Sequence, residues 1–100
     1  MRRRVVWSLD ALDDIDEHNR YIALESAAAA NRSIDRLERA ATLLGEVAIG
    51  RPGRVAGTFE KSVAGTPYVL CYALHEATGA LVVLRVIHSA RDWPKDSWPD

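Results

Sequence analysis

The hydrophobic period changes once along this chain, near residue 45, and that change constrains the fold more than any other feature. Before it, Ala30, Ile34, Leu37, Ala41 and Leu44 recur at intervals of 4, 3, 4 and 3 residues. That spacing is one face of an α-helix. After it, residues 68–75 (YVLCYALH) and 80–88 (ALVVLRVIH) are rich in β-branched and aromatic side chains, as strands are. Their apolar residues fall on both faces, so these strands are expected in the middle of a sheet or under helices. The bridging stretch 45–54 holds Gly45, Gly50, Pro52 and Gly53 and reads as a loop.

The remaining segments fit around this division. Val5, Val6 and Trp7 read as a short strand within residues 1–8. Ser8 is a helix N-cap candidate, and Asp10, Asp13 and Asp14 place negative charge in the first turns, where the helix dipole favours it. A helix over about 9–25 follows, with Leu12, Ile15, Asn19, Ile22 and Ala23 on its inner side. Ser26 caps a second helix that ends near Gly45, over about 27–44. A link this short predicts a helical hairpin. Residues 55–63 alternate loosely as a strand, Gly65-Thr66-Pro67 is a turn, and Glu76 to Gly79 turns the last two strands back on each other. The expected fold is α+β, in the order β-α-α-β-β-β, with the hairpin packed on a small, mostly antiparallel sheet. Its core is expected from Leu12, Ile15, Ile22, Ile34, Leu37, Ala41 and Leu44. One domain over 1–94 would be followed by a tail, 95–100.

Composition removes several functions. The chain has 100 residues, 13 basic against 14 acidic side chains, and a net charge of −1. Proteins that grip nucleic acid through phosphates carry a basic excess, so sequence-specific nucleic-acid binding is not expected. No apolar run reaches the ~18 residues of a membrane span, and the start MRRRVVWSLD turns acidic too soon for a secretory leader. A single cysteine, Cys71, fits a reducing cytosol.

The chemistry-bearing residues form few constellations. His18, His75 and His88 lack metal-ligand spacing, so no metal or other cofactor is expected. His18 reads as a solvated helix residue and His75 as surface. Cys71 lies mid-strand, as a packed thiol does. Gly50 to Gly57 (GRPGRVAG) lacks the preceding strand and the Lys-Ser/Thr of a phosphate loop. Asp13, Asp14, Asp16, Glu17 and Glu25 read as an exposed acidic face. No catalytic residues are assigned. The basic residues of the strand half are Arg51, Arg54, Lys61, Arg85 and Arg91, with Lys95 in the tail. Arg85 interrupts an apolar strand and requires a partner: either Glu60 or a helix carboxylate within the fold, or something outside it. Trp93 and Trp98 follow the last strand in a proline-broken segment. Trp93 is expected to fold back on the sheet and Trp98 to be exposed. Arg85, Arg91, Trp93 and Trp98 are the residues singled out for target binding, with Arg51, Arg54 and Lys61 as weaker basic candidates.

Taken in order, several segments resemble the ParE/RelE family of toxins. They are Trp7 through Ala11 to Ile15, then Tyr21-Ile22-Ala23, then Ala30, Arg32, Ile34 and Leu37. Gly50 to Val55, Gly65 to Leu70 and Leu84 to Trp93 continue the match, which runs over about residues 5–94. The resemblance implies a β-α-α-β-β-β domain and the toxin half of a type II toxin–antitoxin pair, bound and masked by a cognate antitoxin. It implies one of two activities. RelE-like members cut messenger RNA on the ribosome, using lysines on the first sheet strand, an arginine on the next, another arginine after the last strand and a tyrosine near the C-terminus. ParE-like members inhibit DNA gyrase. Here Val69 stands at the mid-sheet arginine position, the lysine pair is reduced to Lys61 beside Glu60, and Trp98 is nearest to the tyrosine. Only Arg91 matches. The expectation is therefore a ParE-like toxin with gyrase as its target. The alternatives are a RelE-like ribosome-dependent endonuclease and a toxin fold that retains only antitoxin binding. The antitoxin is expected on a sheet face that the helical hairpin leaves bare.

Overall fold

In the computed structural model of the chain, residues 2–47, 50–90 and 96–99 are described. The element order is β1 (Val5–Trp7), α1 (Leu9–Ala23), α2 (Ala27–Glu46), β2 (Arg51–Pro52), β3 (Phe59–Ser62), β4 (Tyr68–His75) and β5 (Ala80–His88). Ser8 and Ser26 cap the two helices: their hydroxyls accept hydrogen bonds from Ala11 N at 3.0 Å and Ala29 N at 3.1 Å. The strands form one sheet in the order β1-β5-β4-β3-β2. β5–β4, β4–β3 and β3–β2 are antiparallel, whereas β1 lies parallel to β5 along its outer side. The helical hairpin is thus the crossover that carries the chain from β1 to the far end of the sheet and allows a parallel pair.

Three features depart from the sequence reading. The stretch expected to be wholly loop contains β2, which pairs Arg51 with Glu60 and Pro52 with Phe59. Proline is admissible there because β2 is the sheet's edge and Pro52 needs no outward N–H. Gly45 does not stop the second helix, which continues to Glu46. It is instead a point of close approach: its carbonyl accepts from Arg3 N at 2.6 Å, and a Cβ there would lie 2.8 Å from the Arg3 carbonyl oxygen. Leu12 is 46% exposed, while Ala11 is fully buried. The inner stripe of α1 runs Ala11, Ile15, His18, Ile22, one residue earlier than Leu12 at its start, because small Ala11 lets the helix sit close to the sheet.

The main core lies between the hairpin and one sheet face. Ala11, Leu37, Ala41 and Leu44 meet Tyr68, Leu70, Tyr72, Leu81, Val83 and Val86, with Val5, Trp7, Ile15 and Ile22 packed around them. Ile34 is half-buried and Ala30 buried. The register of β5 shifts at Cys71/Tyr72: Tyr72 opposes Val83 but Cys71 opposes Arg85. Leu84 is therefore an extra residue, a β-bulge. It switches the alternation, so Val83 and Val86 both face the helices although three positions apart. Without it, Arg85 would share the parity of Leu81 and Val83 and point into the core.

Candidate target and partner surface

The sheet face turned away from the helices carries a row of four positions, one on each of β2, β3, β4 and β5. Arg51 on β2 pairs with Glu60 on β3, Glu60 with Cys71 on β4, and Cys71 with Arg85 on β5. Glu60 is 4% exposed. Its carboxylate accepts from Arg54 N at 2.8 Å and lies 3.6 Å from the Arg51 guanidinium. Cys71 sits in the middle of the row with no exposed surface. Burial pushes its thiol up to about 12, and the Glu60 carboxylate adds to the effect. A thiol this hard to ionise is not a nucleophile at neutral pH, as its mid-strand position suggested.

Arg85 ends the row and reaches round the edge of β5 to α1. Its Nε donates to Asp14 Oδ2 at 2.7 Å and its Nη2 to Asp14 Oδ1 at 3.1 Å. This is a bidentate pair, the strongest geometry for such a bond. That bond, ahead of Asp14's charge, raises the Arg85 pKa above its ordinary value against an opposing effect of burial. Asp14 also accepts from Val86 N at 2.9 Å. Asp14 was expected on an exposed acidic face; it is buried, and it is the helix carboxylate that Arg85 requires. His18 was expected to be solvated. It stacks on Tyr68 with ring centroids 4.5 Å apart, and its Nε2 lies 3.0 Å from Val86 O. A carbonyl only accepts, so His18 Nε2 carries the proton. Asp14 and His18, four residues apart on one helix face, thus hold the N–H and C=O of Val86. They cap β5 where three-residue β1 no longer covers it.

The four residues past the undescribed segment 91–95 fold onto the same far face. Trp98 is half-buried against Val69, Cys71 and Ile87. Asp96 N donates to Arg54 O at 2.8 Å, and Arg85 Nη1 donates to Pro99 O at 3.3 Å. The expectation of an exposed Trp98 and a bare second sheet face is corrected here: apolar positions on that face gave Trp98 a surface to cover. Replacing Trp98 with Ala should raise the reactivity of Cys71 toward a thiol reagent about tenfold, since the opening free energy falls by ~1.4 kcal/mol. Unchanged reactivity would show that strand packing alone protects the thiol.

Of the residues singled out in the sequence, Arg51, Arg54, Arg85 and Trp98 come together around this row. Lys61 sits on β3 beside Glu60 and so alternates to the other face. Arg91 and Trp93 lie outside the described residues. Among those described, no group of three or more His, Cys, Asp or Glu is placed to hold a metal ion, and no helix is long and apolar enough to cross a membrane. His75, read as surface, is exposed, with Nδ1 3.1 Å from Thr78 Oγ1.

The sequence reading missed a second feature, an open groove of about 660 Å³ at the far end of α1. Tyr21, Ile22, Tyr68 and His88 line it, together with His18. His88 and Tyr68 meet edge to face at 5.7 Å. The signal was present in the helical spacing Ala11, Ile15, His18, Ile22, which puts His18 on the inner stripe.

The sequence matches the family described as "ParE toxin of type II toxin-antitoxin system, parDE" over residues 5–93. The chain belongs to this family. Two relatives agree. A putative toxin, Y4kP, of Sinorhizobium fredii is 36% identical over 95 residues, covering 94% of this chain and 96% of that one. Toxin RelE2 of Caulobacter vibrioides is 37% identical over 89 residues, covering 88% and 97%. The fold is shared with solved toxins. A chain of the chromosomal ParDE system of P. aeruginosa superposes with a TM-score of 0.76 at 20% identity, covering 86% of this chain and 95% of that one. A chain of the RelBE2 toxin–antitoxin complex of Mycobacterium tuberculosis gives 0.58 at 21% identity, covering 88% and 99%. The protein is thus a type II toxin of the ParE/RelE family, built as two helices on a five-stranded mixed sheet.

Proposed function

We propose that this toxin inhibits DNA gyrase and is neutralised by a cognate antitoxin. The observation that carries the first half is the state of the sheet's far face. Cleaving RNA without a metal requires a base for the 2′-hydroxyl and fixed positive charge for the phosphorane. Val69, at the position where RelE-like members place an arginine, is buried against Trp98. Glu60 is held by Arg51 and the Arg54 amide, and Arg85 by Asp14. Within the row Glu60 offsets Arg51, and Asp14 of α1 offsets Arg85. The net charge of −1 gives no general attraction to ribosomal RNA. Family membership and the toxin–antitoxin complex among the fold's relatives support the second half.

In this reading the end of the chain beyond β5 meets the target, with Arg91 and Trp93 as contact residues. Arginine and tryptophan supply bidentate hydrogen bonds and large rigid contact area in interfaces. Inducing the toxin without its antitoxin should arrest growth with DNA-damage signalling and intact messenger RNA. Arg91→Ala should abolish the arrest with the melting temperature unchanged. The relative named RelE2 defines the contrary outcome: codon-specific messenger RNA cleavage on the ribosome, lost in Arg91→Ala, would replace gyrase with the ribosome.

A further inference from the structure

The chain leaves β5 through two backbone amides that are both held. His88, the last residue of the strand, lies opposite Tyr68 of β4. Ser89 N donates to Pro67 O at 2.7 Å, which carries the pairing one residue past the strand. Ala90 N donates to His88 Nδ1 at 3.1 Å. An amide N–H only donates, so Nδ1 is the bare ring nitrogen and Nε2 carries the proton. The ring is aimed by its neighbours. It meets Tyr68 edge to face at 5.7 Å, Tyr68 stacks on His18 at 4.5 Å, and His18 Nε2 lies 3.0 Å from Val86 O. Tyr68 is buried and His88 half-buried. Three rings thus run from α1 to the exit of β5, and the last of them ends on the amide of Ala90. Arg91 follows Ala90 directly in the sequence.

We propose that His88 is a positioning residue for target binding: its Nδ1 sets the direction in which the chain enters Arg91 and Trp93. The inference rests on the reading that those two residues meet gyrase. Ser89 and Ala90 are exposed, so little packing restrains their backbone, and freedom kept until binding is lost at a cost to affinity. The Pro67 carbonyl and the His88 imidazole remove that freedom beforehand. The bond from a side chain to the amide two residues on is the pattern by which short polar side chains hold a turn. Asparagine can make the same bond, because its Oδ1 stands where imidazole Nδ1 does, one bond beyond Cγ. Glutamine cannot, because its polar end lies one bond farther, at the place of Nε2. The same comparison separates the rival role. If Nε2–H itself met the target, glutamine and not asparagine would preserve inhibition.

The test compares His88→Asn, His88→Gln and His88→Ala with the wild type in supercoiling by purified gyrase. Amide exchange at Ala90, followed by NMR, is the second readout. All three variants lose the ring contact with Tyr68, so that loss cancels among them, and melting curves check that each is folded. His88→Gln and His88→Ala should need about fivefold more toxin for half-inhibition, the effect of losing one neutral hydrogen bond. Ala90 should exchange about fivefold faster in both. His88→Asn should stay within about twofold of the wild type in both readouts. Equal inhibition by the wild type and all three variants overturns the proposal and leaves gyrase as the target. So does an asparagine variant as weak as the alanine one, rescue by glutamine in place of asparagine, or the same exchange at Ala90 in the asparagine and alanine variants. Wild-type toxin without effect on supercoiling overturns the proposed target, and this proposal with it.

Discussion

Replacing Asp14 with Ala should destabilise the fold by about 3–5 kcal/mol, the range for breaking a buried ion pair from one side. Asp14 makes three bonds at once: two from the Arg85 guanidinium and one from the Val86 amide. The side chains are 12% and 16% exposed, so the substitution strands a cation and a strand amide where water reaches poorly. The bulge at Leu84 makes the loss worse, because it aims Arg85 at Asp14, and the one other bond described for the guanidinium, to Pro99 O at 3.3 Å, is to a neutral carbonyl. Asp14→Asn separates the terms. It retains an oxygen for Val86 N but removes the charge, and it should cost less than Ala. Chemical denaturation of the three proteins gives the comparison; a loss under about 1 kcal/mol for Asp14→Ala would place the pair with surface bridges instead.

Leu37→Ala should cost about 2–5 kcal/mol, as a core truncation that leaves a cavity. Leu37 is 2% exposed at the centre of the hairpin's contact with the sheet. Tyr72 and Leu44, its equally buried cluster-mates, are held by strand register and helix packing, so collapse into the space is limited. Denaturant midpoints at unchanged m-value measure it. A change under about 0.5 kcal/mol would mean that the helical stripe does not face the core.

Stability should also fall at high pH through Cys71. The thiol ionises near 9 in the unfolded chain and near 12 in the folded one. The folded state therefore binds the extra proton between those values, and the contribution present below pH 9 is lost as pH rises toward 12. Cys71→Ala should flatten that part of the profile.

The parts of the fold that were legible in the sequence are those where one period dominates. β4 and β5 have the bounds that their composition predicts, and Leu37, Ala41 and Leu44 lie in the core as the 4-3-4-3 stripe requires. What was not legible depends on partners distant in sequence. Leu12 and Ala11 are adjacent and both apolar, and only the closeness of the sheet selects Ala11. The bulge at Leu84 is invisible in a strand whose residues are apolar on both faces, yet it sets the direction of Arg85. Asp14 looked like one carboxylate among several on an acidic helix, and 71 residues separate it from Arg85. The requirement that Arg85 have a partner was readable; which carboxylate answers it was not. Trp98 followed the same logic. A proline-broken tail carries no period, so nothing local distinguished a free tryptophan from one covering Val69, Cys71 and Ile87.

The far face of the sheet also links fold to activity. Arg51 meets Glu60 on this face and Arg85 meets Asp14 of α1, and its apolar centre is covered by Trp98. In the proposed reading this face holds the fold together and does not stabilise a developing phosphorane, which requires preorganised positive charge. The most direct measurement of this account is ATP-dependent supercoiling of relaxed plasmid by purified gyrase, with the toxin titrated in. The account predicts that supercoiling stops and cleaved DNA accumulates, and that Arg91→Ala loses the effect. Full supercoiling at excess folded toxin, together with messenger RNA cleavage by the same preparation in a purified translation system, would contradict it.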